Sequence, residues 1–337
     1  MPIKLSIKEA LTRPNTVFID TRTPKEFEED HLPSAINVPI LTNEERAIVG
    51  TLYKQVSKEK AIEQGMQFFS PKLPTFLEQF NKHKDKEIIV YCWRGGMRSA
   101  TVVALFEALG YNIKQLTGGY KAYRAHVSQE LSQIKITPKV FVLWGLTCTC
   151  KTELLKTFPQ FLNLEELAQH RSSLYGSIGL EPRTQKTFEN LLLQRLQKLQ
   201  SEPFILIEGE SRKIGNIEIP SCVWKAMNNA TPLLAQKSLD LRAQACVKEY
   251  FNTQQNIEQV YQITQKLWKV ISKKHKEETL RAIENKEYHK AAKILLEFYY
   301  DPLYGHTLTK IPFAAAIDTD DLNKAREELY TQIHKNL

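Results

Sequence analysis

The sequence predicts an α/β protein of two domains, on three observations. Short β-like runs alternate with helical ones from the start: "TVFIDTR", "AINVPI", "EIIVYC", then "SATVVALFEALGY" and "IKQLTGGYKAYRAHV". Such alternation is the signature of a compact α/β domain. The same pattern restarts after Pro138, with "KVFVLWGL" as a strand, a loop, and "KTELLKTF" as a helix. Finally, 337 residues that are 42% hydrophobic and 25% charged match an ordinary soluble protein of about two domains, large enough to bury its cores without staples.

The polar stretch "SQELSQIKITPK" (128–139) marks the boundary, giving expected domains of 1–134 and 138–337. In the second, "KTFENLLLQRLQKLQ" (186–200) places Phe188, Leu191, Leu192, Leu196 and Leu199 at helical spacing. "FILIEGES" (204–211) reads as a buried strand ending in carboxylates. From about residue 239 onward the chain is helical and lysine-rich, and these charges suit either a solvated helix face or a polyanion-binding surface. No internal repeat, low-complexity tract or Gly/Ser linker interrupts the pattern.

The formal net charge of +8 favours a polyanionic partner, nucleic acid first, with simple solubility charge as the plain alternative. Five cysteines with no regular spacing argue against a disulfide framework. The opening "MPIKLSIKEALTRPN" has no long apolar segment, and runs such as "VFVLWGL" are too short to span a bilayer. A cytoplasmic protein with no membrane partner is expected.

The first chemical candidate is "EIIVYCWRGGMRSATVVALFEALG", which puts Cys92 at a strand end and opens a seven-residue loop, Cys92 to Arg98, ahead of a helix. Gly95 and Gly96 allow the backbone to curl with its amides inward, and Arg94 and Arg98 add positive potential. Such surroundings stabilise a thiolate, the nucleophilic form. A merely structural cysteine fits poorly beside two glycines and two arginines. C-x5-R is also the spacing of cysteine-dependent phosphatases and arsenate reductases, whose loops hold an oxyanion; a sulfur or selenium relay is the other chemistry that suits it.

The second candidate is "GLTCTCKT" (145–152), nearly the phosphate-binding pattern G-x-x-x-x-G-K-[ST]. Gly145, Lys151 and Thr152 are in place, but Cys150 stands where the second glycine belongs. A cysteine there costs about 1 kcal/mol or more wherever a left-handed backbone is required. Three readings stay open: a weakened phosphate site, an intact site with cysteines tolerated, and a metal or redox CxC. Glu208 and Glu210 can hold Mg²⁺ with Thr152, or merely solvate a strand end; Arg212 can meet a leaving diphosphate or a nucleic acid. His170 and Arg171 are weaker candidates for the same region.

"FIDTRTPKEFEEDHLPSAINVPI" (18–40) resembles the rhodanese signature, with Asp20, Arg22 and Glu26-Phe27, and "LTGGYKAYR" (116–124) resembles the segment that follows its active-site helix. Phosphatases of rhodanese fold usually carry His before the Cys, where this chain has Tyr91, so chalcogen transfer is favoured. A rhodanese-like domain followed by a P-loop NTPase-like domain resembles the tRNA 2-selenouridine synthase family over nearly the whole chain. The matching stretches are "CWRGGMRS" (92–99), "GTLYK" (50–54) with Gly65, "GLTCTCKTELL" (145–155), "HRSSLYG" (170–176), "TQKTFENLL" (184–192), "IEGESRKIG" (207–215) and "YYDPLYG" (299–305).

The resemblance implies a two-step reaction on tRNA carrying wobble 2-thiouridine: S-geranylation from geranyl diphosphate, then displacement of the S-geranyl group by selenium from selenophosphate. It implies that Cys92 carries selenium as a selenylsulfide. Separately, the seven-residue cationic loop is large enough for a tetrahedral anion, so Arg94, Gly95, Gly96 and Arg98 are expected to cradle the phosphate end of selenophosphate. Gly145, Lys151, Thr152, Glu208 and Arg212 would bind the diphosphate, with Mg²⁺ through Thr152 and Glu208. The family has glycine where Cys148, Cys150 and Ser172 stand here, so a tRNA-binding homologue with an impaired phosphate loop is the alternative, beside a phosphatase or arsenate reductase.

Overall fold

The apolar runs of the first unit pair side by side in one direction. Strands β1 (Lys4–Leu5), β2 (Thr16–Asp20), β3 (Ile36–Asn37), β4 (Glu87–Tyr91) and β5 (Ile113–Leu116) form a parallel sheet in the order β1-β5-β4-β2-β3. Strand β4 is central and shows no alternation, because helices cover both faces of a parallel sheet. Only Ile36 and Asn37 of the expected strand "AINVPI" are paired. The computed structural model describes residues 3–267 and 269–337, and the chain divides into two units between Glu130 and Leu131.

Helices α1 (Ile7–Thr12), α2 (Pro24–Glu29) and α3 (Asn43–Gln55) each start at a reciprocal capping box, Ser6 with Glu9, Thr23 with Glu26 and Thr42 with Glu45. Helices α4 (Lys58–Phe69) and α5 (Leu73–Asn81) precede β4; α6 (Met97–Ala108) and α7 (Gly119–Gln133) follow β4 and β5. Val17, Ile88, Val90, Phe76, Phe80, Val103 and Phe106 fill one core layer. The polar stretch taken as a boundary is helical through Gln133, because α7 carries buried Val127 and Leu131 across it.

Within that core Arg22 and Asp20 are almost completely buried. Arg22 Nη2 donates to Asp20 Oδ2 at 2.6 Å and to the Asp30 carbonyl at 2.7 Å, and its guanidinium lies 3.9 Å from the centre of the Tyr120 ring.

The second unit repeats the design. Strands β6 (Lys139–Trp144), β7 (Phe161–Leu162), β8 (Phe204–Glu208), β11 (Thr231–Gln236) and β12 (Ala315–Asp318) form a parallel sheet in the order β12-β11-β6-β8-β7. A small hairpin, β9 (Lys213–Ile214) with β10 (Ile217–Glu218), stands apart. Helices α8 (Lys151–Leu155), α9 (Leu164–Ala168), α10 (Gln185–Leu199) and α11 (Ser221–Asn228) connect the strands. The expected helical C-terminal part comprises α12 (Leu239–Tyr250), α13 (Gln254–Lys266), α14 (Lys273–Glu284), α15 (Tyr288–Leu295), a π-helical turn (Leu296–Tyr300), α16 (Asp301–Leu308) and, after β12, α17 (Leu322–Lys335). Strand β12 was not anticipated inside that helical region; β11 supplies its partner edge and α17 covers it. Among the described residues no helix is long and apolar enough to cross a membrane.

Removing Arg22 leaves Asp20 buried without its counter-charge, a change that costs about 3–5 kcal/mol. Arg22→Ala is therefore expected to destabilise the first unit by roughly that amount, read as faster hydrogen exchange across β2 and β4 with β6 and β8 unaffected.

Candidate functional site

Strand β4 ends at Tyr91 and delivers Cys92, 3% exposed, to the carboxyl edge of the sheet. The loop is tighter than the sequence suggested: it runs from Cys92 to Gly96, and α6 begins at Met97, so Arg98 sits in the first helical turn. Cys92 Sγ accepts a hydrogen bond from the Gly96 N–H at 3.3 Å and one from Ser99 Oγ at 3.4 Å. Buried Gln115 of β5 holds the loop from below, its Nε2 donating to the Gly95 carbonyl (2.9 Å), the Gly96 carbonyl (3.2 Å) and Ser99 Oγ (2.9 Å). With those carbonyls turned away, the Gly96 amide faces the sulfur.

The second glycine pair, Gly118-Gly119, makes this loop possible. Gly119 has φ +56°, and a Cβ there would lie 2.2 Å from the Cys92 carbonyl oxygen. Tyr120 N–H and Lys121 N–H donate to the carbonyls of Cys92 and Trp93, each at 2.9 Å. A Cβ on Gly95, at φ +62°, would lie 2.5 Å from the Leu116 carbonyl oxygen. Arg94 is exposed and lines a cavity of about 730 Å³ with Cys92, Arg98, Arg46 and Lys54. Arg98 is not a free cation: its Nη1 donates to Glu26 Oε2 at 2.8 Å. That same oxygen caps α2 at the Thr23 N–H. Glu26 carboxyl is held below its ordinary value: burial works the other way, and the Arg98 hydrogen bond and charge outweigh it.

In the second unit the loop after β6 carries the remaining candidates. A Cβ on Gly145 would meet the Ala235 carbonyl at 2.7 Å. Lys151 Nζ donates to the carbonyls of Gly145 (3.1 Å) and Leu146 (3.2 Å) and lies 3.6 Å from Glu208 Oε1. Thr152 Oγ1 donates to Glu208 Oε2 at 2.8 Å. Other loop carbonyls are tied back too: Arg242 Nε donates to Thr147 O at 2.9 Å, and Thr319 Oγ1 to Thr149 O at 2.8 Å. Arg242 is itself clamped by Asp301, with Nη1–Oδ2 at 2.9 Å and Nη2–Oδ1 at 2.5 Å.

Cys148 and Cys150 both adopt left-handed backbone, at φ 62° and 58°, where L-residues carry roughly 1–2 kcal/mol of strain. Cys148 packs against the core of the C-terminal helices, and its thiol is pushed well up by a hydrogen bond with Cys246 and by burial. Burial raises the Cys150 thiol as well. All five cysteines are free thiols. Ser172 is likewise left-handed, at φ 55°. Helix α8 is shorter than the expected "KTELLKTF", ending at Leu155 because Thr157 and Phe158 turn back onto Leu154 and Leu155.

Glu208 and Glu210 meet a third carboxylate that sequence reading missed. Glu165, from α9, brings an oxygen to within 4.8 Å of oxygens on both of them. Burial and the Glu208 charge push Glu165 well above the ordinary carboxylate range and Glu210 up to about 7. Three crowded carboxylates, with Lys151 near one of them and Thr152 bonded to the same one, form a set of hard oxygen donors that suits Mg²⁺. Among the described residues it is the one cluster of this kind. The cavity here has a volume of about 500 Å³ and also includes Arg171, Arg212 and Tyr304. Arg212 is half-exposed and pairs with Glu218 at 2.8 Å. Arg171 pairs with Glu249 at 2.5 Å, and burial lowers His170.

Residues 138–278 match the model of the tRNA 2-selenouridine synthase AAA domain, and residues 5–126 that of the rhodanese-like domain. The tRNA 2-selenouridine synthase of Nitrosomonas europaea is 34% identical over 256 residues, covering 72% of this chain. The chain belongs to the tRNA 2-selenouridine synthase family. The match spans 66% of that relative's length. Among solved structures, the N-terminal domain of a protein described as ATP/GTP binding from Clostridium difficile 630 is 44% identical, with 36% of this chain and 97% of that one covered at a TM-score of 0.36. A rhodanese-related protein from Thermoplasma volcanium is 19% identical, with coverage of 37% and 92% and a TM-score of 0.24. The two family segments hold the two sheets described above, except that β12 lies beyond the second segment; one carries Cys92 and the other Lys151.

The carboxylate cluster has a measurable signature. Glu210 has a folded-state pKa of about 7, above the ordinary 4.5, so its ionisation opposes folding. The second unit is expected to lose thermal stability as pH rises across that interval. Glu210→Gln should flatten the profile, and Mg²⁺ should raise the melting temperature above neutral pH. A profile unchanged by the substitution would contradict the crowding.

Proposed function

We propose that this chain converts wobble 2-thiouridine of tRNA into 2-selenouridine, by S-geranylation from geranyl diphosphate and then replacement of the S-geranyl group by selenium from selenophosphate. The observation that carries the reading is the pairing, in one family member, of a sulfur held by amide and hydroxyl donors with a lysine-bearing loop facing three carboxylates. Alkylation makes chemical sense as a first step, because it turns a poorly departing sulfur into a better leaving group.

In the first step Lys151 and Arg212 meet the diphosphate, and Lys151 leaves the loop carbonyls to do so. Thr152, Glu208, Glu165 and Glu210 would hold Mg²⁺, which when bound supplies charge neutralisation for the departing diphosphate. In the second step the Se–P bond of selenophosphate breaks, with its phosphoryl group passing to water. Cys92 holds the selenium, still at the selenide level, for attack on the nucleoside as geranyl thiol departs. Its Gly96 and Ser99 hydrogen bonds stabilise an anionic chalcogen there, and Arg94 is placed to meet the phosphate end of selenophosphate. Arg98, paired with Glu26, contributes a weaker field than a free arginine. That pairing also weighs against a phosphatase, which would need Arg98 turned onto its oxyanion. The +8 charge suits a tRNA partner.

A second reading is favoured by the left-handed Cys148 and Cys150: a tRNA-binding homologue whose phosphate loop no longer supports geranylation. Mass spectrometry of nucleosides from 2-thiouridine tRNA separates the two. With geranyl diphosphate and Mg²⁺ the full chain should yield S-geranyl-2-thiouridine, and with selenophosphate, 2-selenouridine. Cys92→Ser should abolish the second product and spare the first. Lys151→Ala should slow the first by roughly 100-fold or more. No product from the unmodified chain, restored by Cys148→Gly with Cys150→Gly, would establish the impaired-loop reading instead. In the same assay Arg94→Ala should raise the KM for selenophosphate about tenfold, the loss of one charge-assisted contact; an unchanged KM would remove Arg94 from the site.

A further inference from the structure

Between β3 and β4 the first unit carries a helical hairpin, α3 and α4, joined by Val56 and Ser57. Val49, Ala61, Ile62, Met66 and Phe69 of this hairpin, with Met97 of α6, line a cavity of about 320 Å³. That is the lower end of the range for small-molecule sites, and its walls are almost entirely hydrocarbon. Charged groups stand only at one end, where the slot meets the Cys92 cavity: Arg46, Tyr53, Lys54, Met97 and Arg98 line both. The combined space therefore suits an elongated ligand, with an apolar chain in the slot and an anionic or polar head beside Cys92.

Two further observations indicate that the slot is kept open. Gly65 lies inside α4, where glycine costs about 1 kcal/mol relative to alanine. Neither its backbone nor its packing calls for glycine, since a Cβ there would meet nothing within 4 Å. Met66 and Met97 are 47% and 50% exposed, large apolar side chains of a type that reshapes around a guest.

We propose that this slot holds the geranyl chain carried on the sulfur of the wobble nucleoside while the nucleoside ring lies beside Cys92. The inference rests on the geranylation reading above and adds to it a binding site in the first unit, separate from the phosphate-loop cavity. The occupant is chosen by shape and polarity: one flexible hydrocarbon chain attached to a group that must reach Cys92. With the chain in the slot, the nucleoside and its flanking phosphates would stand against Arg46, Lys54 and Arg94.

The test is photolabelling of the full chain with an RNA stem-loop whose S-geranyl-2-thiouridine bears a diazirine on the geranyl chain. Adducts are expected on peptides from residues 49–69 and 97–101. Met66→Trp, which fills the slot from an exposed position, should lower labelling and raise the KM for S-geranylated RNA roughly tenfold or more. The KM for selenophosphate should not move, and Leu109→Trp, an exposed position outside the slot, should change neither. Adducts confined to residues 138–337, or labelling indifferent to Met66→Trp, would overturn the slot while nucleoside conversion by the unmodified chain keeps the reaction. Labelling in the slot by a chain that performs no conversion would keep the site and remove the reaction.

Discussion

A parallel sheet finishes all its strands on one edge, and this constraint organises both units of the chain. The loop that leaves β4 starts at Cys92, and the loop that leaves β6 starts at Gly145. In each case the neighbouring strand ends alongside and supplies charge at the same level. Asp20 lies opposite Tyr91, and Glu208 opposite Leu143. The register of the sheet therefore places the Arg22–Asp20 pair beneath the first loop. In the second it places Glu208 within reach of Thr152 and Lys151. A slip of one residue in either register would turn those carboxylates to the opposite face.

The two loops solve the same backbone problem by different means. In the first, glycines occupy the left-handed positions, and Gln115 and the Gly118-Gly119 turn absorb the carbonyls. In the second, cysteines hold two left-handed positions without that freedom. Their conformation is over-determined from outside: Arg242 and Thr319 bind the flanking carbonyls, and Cys148 is drawn into the core formed by Cys246, Tyr250 and Tyr299. Tertiary packing thus offsets local strain, and the Cys246 hydrogen bond with burial at Cys148, and burial at Cys150, push both thiols up.

The Cys92 loop was legible in the sequence because its chemistry is contiguous: cysteine, two arginines, two glycines and Ser99 lie within eight residues of one another. Its support was only half legible. "LTGGY" could be noticed, but that Gly119 abuts the Cys92 carbonyl is a fact of sheet order, since β5 lies next to β4. Glu165 gave no signal: "LEELA" reads as the solvated side of a helix, and only the return of α9 to the end of β8 brings it to Glu208. The slot between α3 and α4 was hidden for the same reason. Helical spacing says which side of each helix is apolar, and not how far apart the two sides are held. Arg98 misled in the opposite sense, because nothing in "CWRGGMR" announces that Glu26, 72 residues earlier, already holds it.

The stretch "YYDPLYG" contains a feature with a consequence of phase. The turn Leu296–Tyr300 is π-helical, so one residue more than an α-turn requires is inserted between α15 and α16. Everything beyond it is rotated by about 100° relative to a continuous α-helix, the angle of one residue. That rotation brings Asp301 round to Arg242, and with it Leu303, Tyr304 and Thr307 to the wall of the phosphate-loop cavity. The spacing here tolerates substitution far better than it tolerates a change in length. Loss of one residue from the turn would restore a regular helix and swing Asp301 away from Arg242, releasing the hold on Thr147 although both partners of the clamp remain.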